Sequence, residues 1–121
     1  MTPPIVCWSE IPVTDMDKAV SYYNAVFKWN MKIDNTGPNP MADLGGTIDT
    51  VGGHLYPGKP ATDGNGPTIH IVVPDKLENA ANRVADAGGT ILCDPVTIPA
   101  GRFVYTKDPD GNSIGLFEPK A

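Results

Sequence analysis

Asp108-Pro109-Asp110-Gly111-Asn112-Ser113-Ile114-Gly115-Leu116-Phe117-Glu118 decides the fold. Its first five residues have the chemistry of a type I turn. The Asp side chain bonds its own backbone, Pro presets φ, and Gly accepts a left-handed conformation. Phe103 and Tyr105 precede the turn and a short apolar segment follows it, so the stretch reads as a β-hairpin.

Upstream of the hairpin, Ile69 to Val73 reads as a strand. Asp75 is placed to cap a helix, with Glu78 three residues on in a capping-box arrangement. Leu77, Ala80, Ala81, Val84 and Ala85 give that helix an apolar face, and Gly88-Gly89 stops it. Thr90 to Ile98, Gly101 to Lys107 and Asn112 to Glu118 follow as three strands.

The same order occurs earlier in the chain. Ile5 to Val13 reads as a strand, and Thr14 can cap a helix with Asp15 and Asp17 in its first turn. Met16, Ala19, Val20, Tyr23, Val26 and Phe27 form its apolar stripe. Trp29 to Asp34 alternates as a strand, Met41 to Asp49 is an interrupted one, and Gly53 to Tyr56 is a short one ended by Pro57-Gly58. The helix starts at Asp15 and Asp75 lie 60 residues apart in a chain of 121. This is a two-copy βαβββ repeat. One domain over 1–121 is expected, with module one at 5–57 and module two at 67–118. The fold class is α+β: each helix covers one face of a curved mixed sheet, and the uncovered faces are expected to enclose a shared cavity.

Composition narrows the partners. Forty per cent hydrophobic residues can build a core. Net charge is −5 and the nine Lys and Arg are scattered, so nucleic acid and anionic membranes are not expected partners. Cys7 and Cys93 sit in apolar contexts without CxxC spacing, as in a reduced, cytoplasmic protein. Met1-Thr2-Pro3-Pro4 does not read as a signal peptide, and no apolar run reaches membrane-span length. The sequence carries neither a Gly-rich phosphate loop nor a nucleophile elbow.

Trp8-Ser9-Glu10-Ile11-Pro12-Val13-Thr14-Asp15, Tyr22-Tyr23 and Phe27-Lys28-Trp29 resemble the opening module of the vicinal oxygen chelate superfamily, which includes glyoxalase I, extradiol dioxygenases, and fosfomycin and bleomycin resistance proteins. Val73-Pro74-Asp75, Gly88-Gly89 and the Asp108–Asn112 turn are similar to its second module. The chain looks closest to small glyoxalase-like proteins related to lactoylglutathione lyase. The resemblance implies a homodimer and a cavity. In catalytic members it also implies a divalent metal held on the first and last strands of each module. Carried over, those positions are Trp8, His54, Ile69 (or His70 after a one-residue slip) and Gly115. Trp and Gly cannot ligate, so no metal or other cofactor is expected.

The remaining candidates follow from strand alternation. Trp8, Glu10 and Pro12 share one face, while Ser9, Ile11 and Val13 share the other and should meet the helix. Glu10 then points into the cavity, where a carboxylate can exchange a proton. Glu10 and His54 are the candidate catalytic pair. Trp8, Tyr56, His70, Phe103, Tyr105 and Phe117 are candidate ligand-binding residues. Read in register with Ser9, His70 would instead face the helix, because a one-residue slip exchanges the faces of a strand. Arg102 could hold an anion or enter a surface ion pair.

Three functions are expected of such a chain. One is metal-independent binding of a small organic molecule. Another is a lyase or isomerase working beside a carbonyl through Glu10 and His54. The last is an interaction protein whose pocket is filled by Trp8, Phe103 and Phe117.

Overall fold

Asp15, rather than Thr14, starts the first helix. Its carboxylate accepts from the Lys18 amide at 3.1 Å, and helix α1 runs Met16–Phe27. In this computed structural model, which describes residues 6, 8–45 and 51–121, α1 buries Ala19, Tyr22, Tyr23, Val26 and Phe27. Strand β1 spans Trp8–Val13, β2 Ala42–Gly45 and β3 Gly52–Pro57. They form a sheet in the order β1-β3-β2, with β1 parallel and β2 antiparallel to β3. Cys7 and the end of the expected strand from Met41 to Asp49 lie outside the described residues.

Trp29 to Asp34 is not a strand. Only Asp34 bridges to Met41. The Asn24 side chain on α1 occupies both backbone groups of Met31, accepting from its amide at 2.8 Å and donating to its carbonyl at 3.3 Å. A side chain that satisfies the backbone in this way competes with a β-ladder.

The second module contributes β4 (Ile69–Val72), helix α2 (Leu77–Asp86), β5 (Thr90–Ile91), β6 (Val96–Ile98), β7 (Gly101–Lys107) and β8 (Ser113–Pro119). The order is β4-β8-β7-β5, and β6 also pairs with β7. The expected strand from Thr90 to Ile98 is therefore two short ones, divided around Pro95, which lacks the amide a ladder needs. Among the described residues the protein is thus a mixed α+β fold of two helices and eight strands.

Asp75 does not cap α2. The N-cap is Lys76, with no side-chain cap. Asp75 instead makes a bidentate pair with Arg83 at 2.7 and 2.9 Å and meets Lys28 at 3.2 Å. A charged fork of this kind outcompetes a single amide donor. The free amide of Leu77 is satisfied from β8, where Glu118 accepts it at 2.8 Å. Arg102 reaches the same Glu118 and also Glu78, so its fate is the ion pair rather than a ligand.

Both helices lie on one side of the sheets. Ile11, Val13, Leu55, Val104, Ile114 and Leu116 face them, and the buried residues of the two modules form one contiguous cluster. The Asp108 turn fastens the modules together. Asp108 is 4% exposed; it accepts from the amides of Asp110 and Asn112 at 2.9 Å each, from the Asn112 side chain at 2.9 Å and from the Tyr23 hydroxyl at 2.8 Å. Asn112 also donates to the Pro12 carbonyl at 2.8 Å, and Thr14 bonds Asp110. Burial and the nearby Asp108 push the Tyr23 hydroxyl well above its ordinary pKa. Gly111, at φ +92, supplies the left-handed residue of the turn.

Two predictions follow from this packing. Asp108→Ala strands four donors at once and is expected to cost about 3 kcal/mol, while Tyr23→Phe costs about 1 kcal/mol. Urea midpoints of the two variants check both values. The second concerns acid. Hydrogen bonds from Arg102 lower the Glu78 pKa from 4.5 to about 2, and Glu118 is lowered for the same reason. A depressed carboxylate lends stability that is full above its unfolded value and is lost as pH falls through its folded one. Stability should therefore drop between about pH 4.5 and about pH 2. Acid titration followed by circular dichroism should show a shallower drop in Arg102→Gln.

Candidate functional site

With the helices on one side, the other side of each sheet stays open. On β1, Ile11 and Val13 are buried, and Trp8, Glu10 and Pro12 alternate away from the core. Glu10 lies opposite His54 in the β1–β3 ladder, and Asp43 lies opposite His54 from β2. These side chains therefore share the outer face with Tyr56.

The outer face of the first sheet carries a hydrogen bond and an ion-pair contact in series on His54. Trp8 Nε1 donates to His54 Nδ1 at 2.9 Å, and His54 Nε2 lies 3.3 Å from Glu10 Oε1. His54 is 8% exposed, whereas 65% of the Glu10 side chain is accessible. The His54 ring also meets Tyr56 edge-on, with centroids 6.1 Å apart. Glu10 further borders a small cleft of about 150 Å³ that it shares with Ile69 and Asn112, at the seam between the modules.

The second sheet is aromatic. His70 lies edge-on to Phe103 at 5.3 Å and Phe117 at 6.5 Å, and tilted against Tyr105 at 5.8 Å. With Val72 and Ile98, the residues His70, Phe103 and Phe117 line an open hollow of about 330 Å³. Tyr105 and Val72 are exposed. Phe103 and Phe117, like Trp8, are only half-buried, so they do not form a closed plug.

The register decides the face of His70, which the sequence left open between the ligand-binding surface and the helix side: it lies on the outer face. The register pairs His70 with Gly115, as it pairs Glu10 with His54. Glu10 and His70 therefore hold matching places on the first strands of the two modules, which the expectation had given to Trp8 and to Ile69 or, after a one-residue slip, His70. The offset of 60 between Asp15 and Asp75, applied to Glu10, would have found this. Gly115 has a use of its own: a Cβ built there would overlap the His70 ring. Asp43 escaped the sequence reading because its strand was ambiguous there.

Residues 5–116 match the model of the glyoxalase/bleomycin resistance protein/dioxygenase superfamily, and the chain belongs to that family. CFP32 of Mycobacterium tuberculosis, provisionally named a glyoxylase, is 27% identical over 118 residues, which is 92% of this chain. The chain spans 44% of that relative's length. Among solved structures, a glyoxalase/bleomycin resistance protein from Albidiferax ferrireducens T118 superposes with a TM-score of 0.68 at 19% identity, over 97% of this chain and 100% of the other. TnmS3, an antibiotic binding protein from Streptomyces sp. CB03234, does so with 0.65 at 23% identity, over 99% of each chain. At these identities the structures establish the shared fold.

Of the four strand positions at which the family resemblance implies metal ligands, Glu10, His54 and His70 carry ligating side chains. One of the four strand positions is Gly115, whose place is taken by the His70 ring. The Nδ1 lone pair of His54 is occupied by an indole donor. No three of His, Cys, Asp and Glu among the described residues are grouped to hold an ion.

Gly115→Ala should push the His70 ring off its aromatic neighbours with little change in stability, within about 1 kcal/mol, because an exposed side chain can swing aside. The His70 ring proton shifts in an NMR spectrum check this; unmoved resonances contradict it.

Proposed function

We propose that this protein binds a small, flat organic molecule without a metal, on the outer faces of its sheets. The observation that carries the reading is the open aromatic surface. Trp8 and Tyr56 stand on one sheet beside the buried His54, and His70, Phe103, Tyr105 and Phe117 on the other; all but His54 reach the surface. Aromatic faces of this kind bind planar apolar ligands by stacking. The antibiotic-binding TnmS3, which shares the fold, supports a binding role for such a face. A second copy of the chain is the proposed lid, since Val72, Val96, Ile98 and Tyr105 leave an apolar patch uncovered.

A second reading has its own observation. Glu10 and His54 come together at 3.3 Å, as a lyase or isomerase that moves a proton beside a carbonyl would require. In that reading the accessible Glu10 carboxylate meets the substrate.

Titration of tryptophan fluorescence with 2-naphthol, 2-naphthoate and 2-naphthylmethylamine tests the binding proposal. Saturable quenching that disappears in Trp8→Phe is expected, with a dimer in analytical ultracentrifugation. A protein that binds none of the three, whether monomer or dimer, overturns it. Turnover of the methylglyoxal–glutathione hemithioacetal that is lost in Glu10→Gln would favour the second reading instead.

A further inference from the structure

We propose that Trp8 is the positioning residue of the first outer face: its indole N–H sets the tautomer of His54 and so leaves Glu10, not His54, as the proton acceptor of that pair. The argument begins with what each group can do. An indole nitrogen can only donate. His54 Nδ1, 2.9 Å from Trp8 Nε1, must therefore be the acceptor. The one proton of the neutral ring then sits on Nε2, which faces Glu10 Oε1 at 3.3 Å. At 8% exposure, His54 has little water to exchange these partners with. Glu10 keeps its outer oxygen open to solvent and ligand.

The consequence is a division of labour between two residues that the sequence presents as equals. His54 has no free lone pair: Trp8 takes the one on Nδ1, and Nε2 carries a proton. It is neither a base nor a ligand, and its protonated Nε2 stands 3.3 Å from Glu10. Glu10 is then the acceptor for an N–H or O–H of the bound molecule. The same geometry says why a metal is unwelcome. Coordination through Nε2 would move the ring proton to Nδ1 and set it against the indole N–H, donor against donor. A metal-bound histidine needs an acceptor at its other nitrogen, and Trp8 supplies the opposite.

The role given to Glu10 toward a ligand rests on the binding proposal above. The tautomer is read with no ligand present, so the two can fail separately. The protein has only two histidines, which makes the ring spectra tractable. Long-range proton–nitrogen correlation on 15N-labelled protein in mildly alkaline buffer should show His54 with a bare Nδ1 and a protonated Nε2. A scalar coupling across the N–H···N bond should link Trp8 Nε1 to His54 Nδ1 in the unaltered protein. Trp8→Phe should shift both His54 nitrogens toward free-imidazole values and raise zinc affinity about tenfold, the scale on which outer-shell partners tune metal sites. Glu10→Gln should leave the tautomer as it is. Three results overturn the proposal: a proton on Nδ1 in the unaltered protein, no coupling between the two nitrogens, or a tautomer that follows Glu10→Gln rather than Trp8→Phe. The coupling is measured without a substitution, so a variant that fails to fold does not spare the proposal.

Discussion

A single buried carboxylate holds the two modules in their relative places. Asp108 takes four hydrogen bonds in almost complete isolation from water. Two shape the turn through backbone amides, one fixes Asn112, and one arrives from Tyr23 on α1. A buried polar network is stabilising only when every member is satisfied, and no buried side-chain polar atom among the described residues lacks a partner. The Pro and Gly of the turn set its shape; the two Asp and the Asn reach out of it. Asn112 grips Pro12 on β1 and Asp110 meets Thr14. The motif that marks the family in sequence is therefore a fastener between modules, and the placement of β1 depends on it.

A second fastener stands at the other end of α1. Arg83 on α2 donates to the carbonyl of Val26 at 2.8 Å while its fork holds Asp75, which also takes Lys28. Drawing Asp75 into this link is what removes it from the cap of α2. The gap is closed from the last strand by Glu118, itself steadied by Arg102. Each substitution of role is local, yet together they hold both helices on one side of the sheets. The outer faces are bare as a consequence of that arrangement.

Much of this was legible in the sequence. The hairpin turn, both helices, the parity of β1 and the two-copy repeat can be read from turn chemistry and periodicity. What could not be read depends on partners distant in the chain. Nothing near Asp75 announces Glu118 as the cap, 41 residues away from Leu77. Nothing in Trp29 to Asp34 shows that Asn24 will claim the backbone of Met31. His70 is the instructive case, because the sequence left its face open. In a strand only the register decides the face, and the register of β4 is set by β8. The outer-face residues other than Asp43 were named one by one, but their grouping into a polar sheet and an aromatic sheet needed the ladders.

That grouping gives the site a direction. Matching positions of the repeat, Glu10 with His54 and His70 with Gly115, carry different chemistry. In module one a hydrogen bond from Trp8 holds His54, whose other nitrogen lies 3.3 Å from the accessible carboxylate of Glu10. In module two the glycine lets an imidazole lie among Phe103, Tyr105 and Phe117. This chain has spent the symmetry: one face offers an acceptor beside an indole, the other an apolar bed. On the binding proposal, a molecule that met both would have its polar end and its flat end told apart by the protein before any reaction is considered.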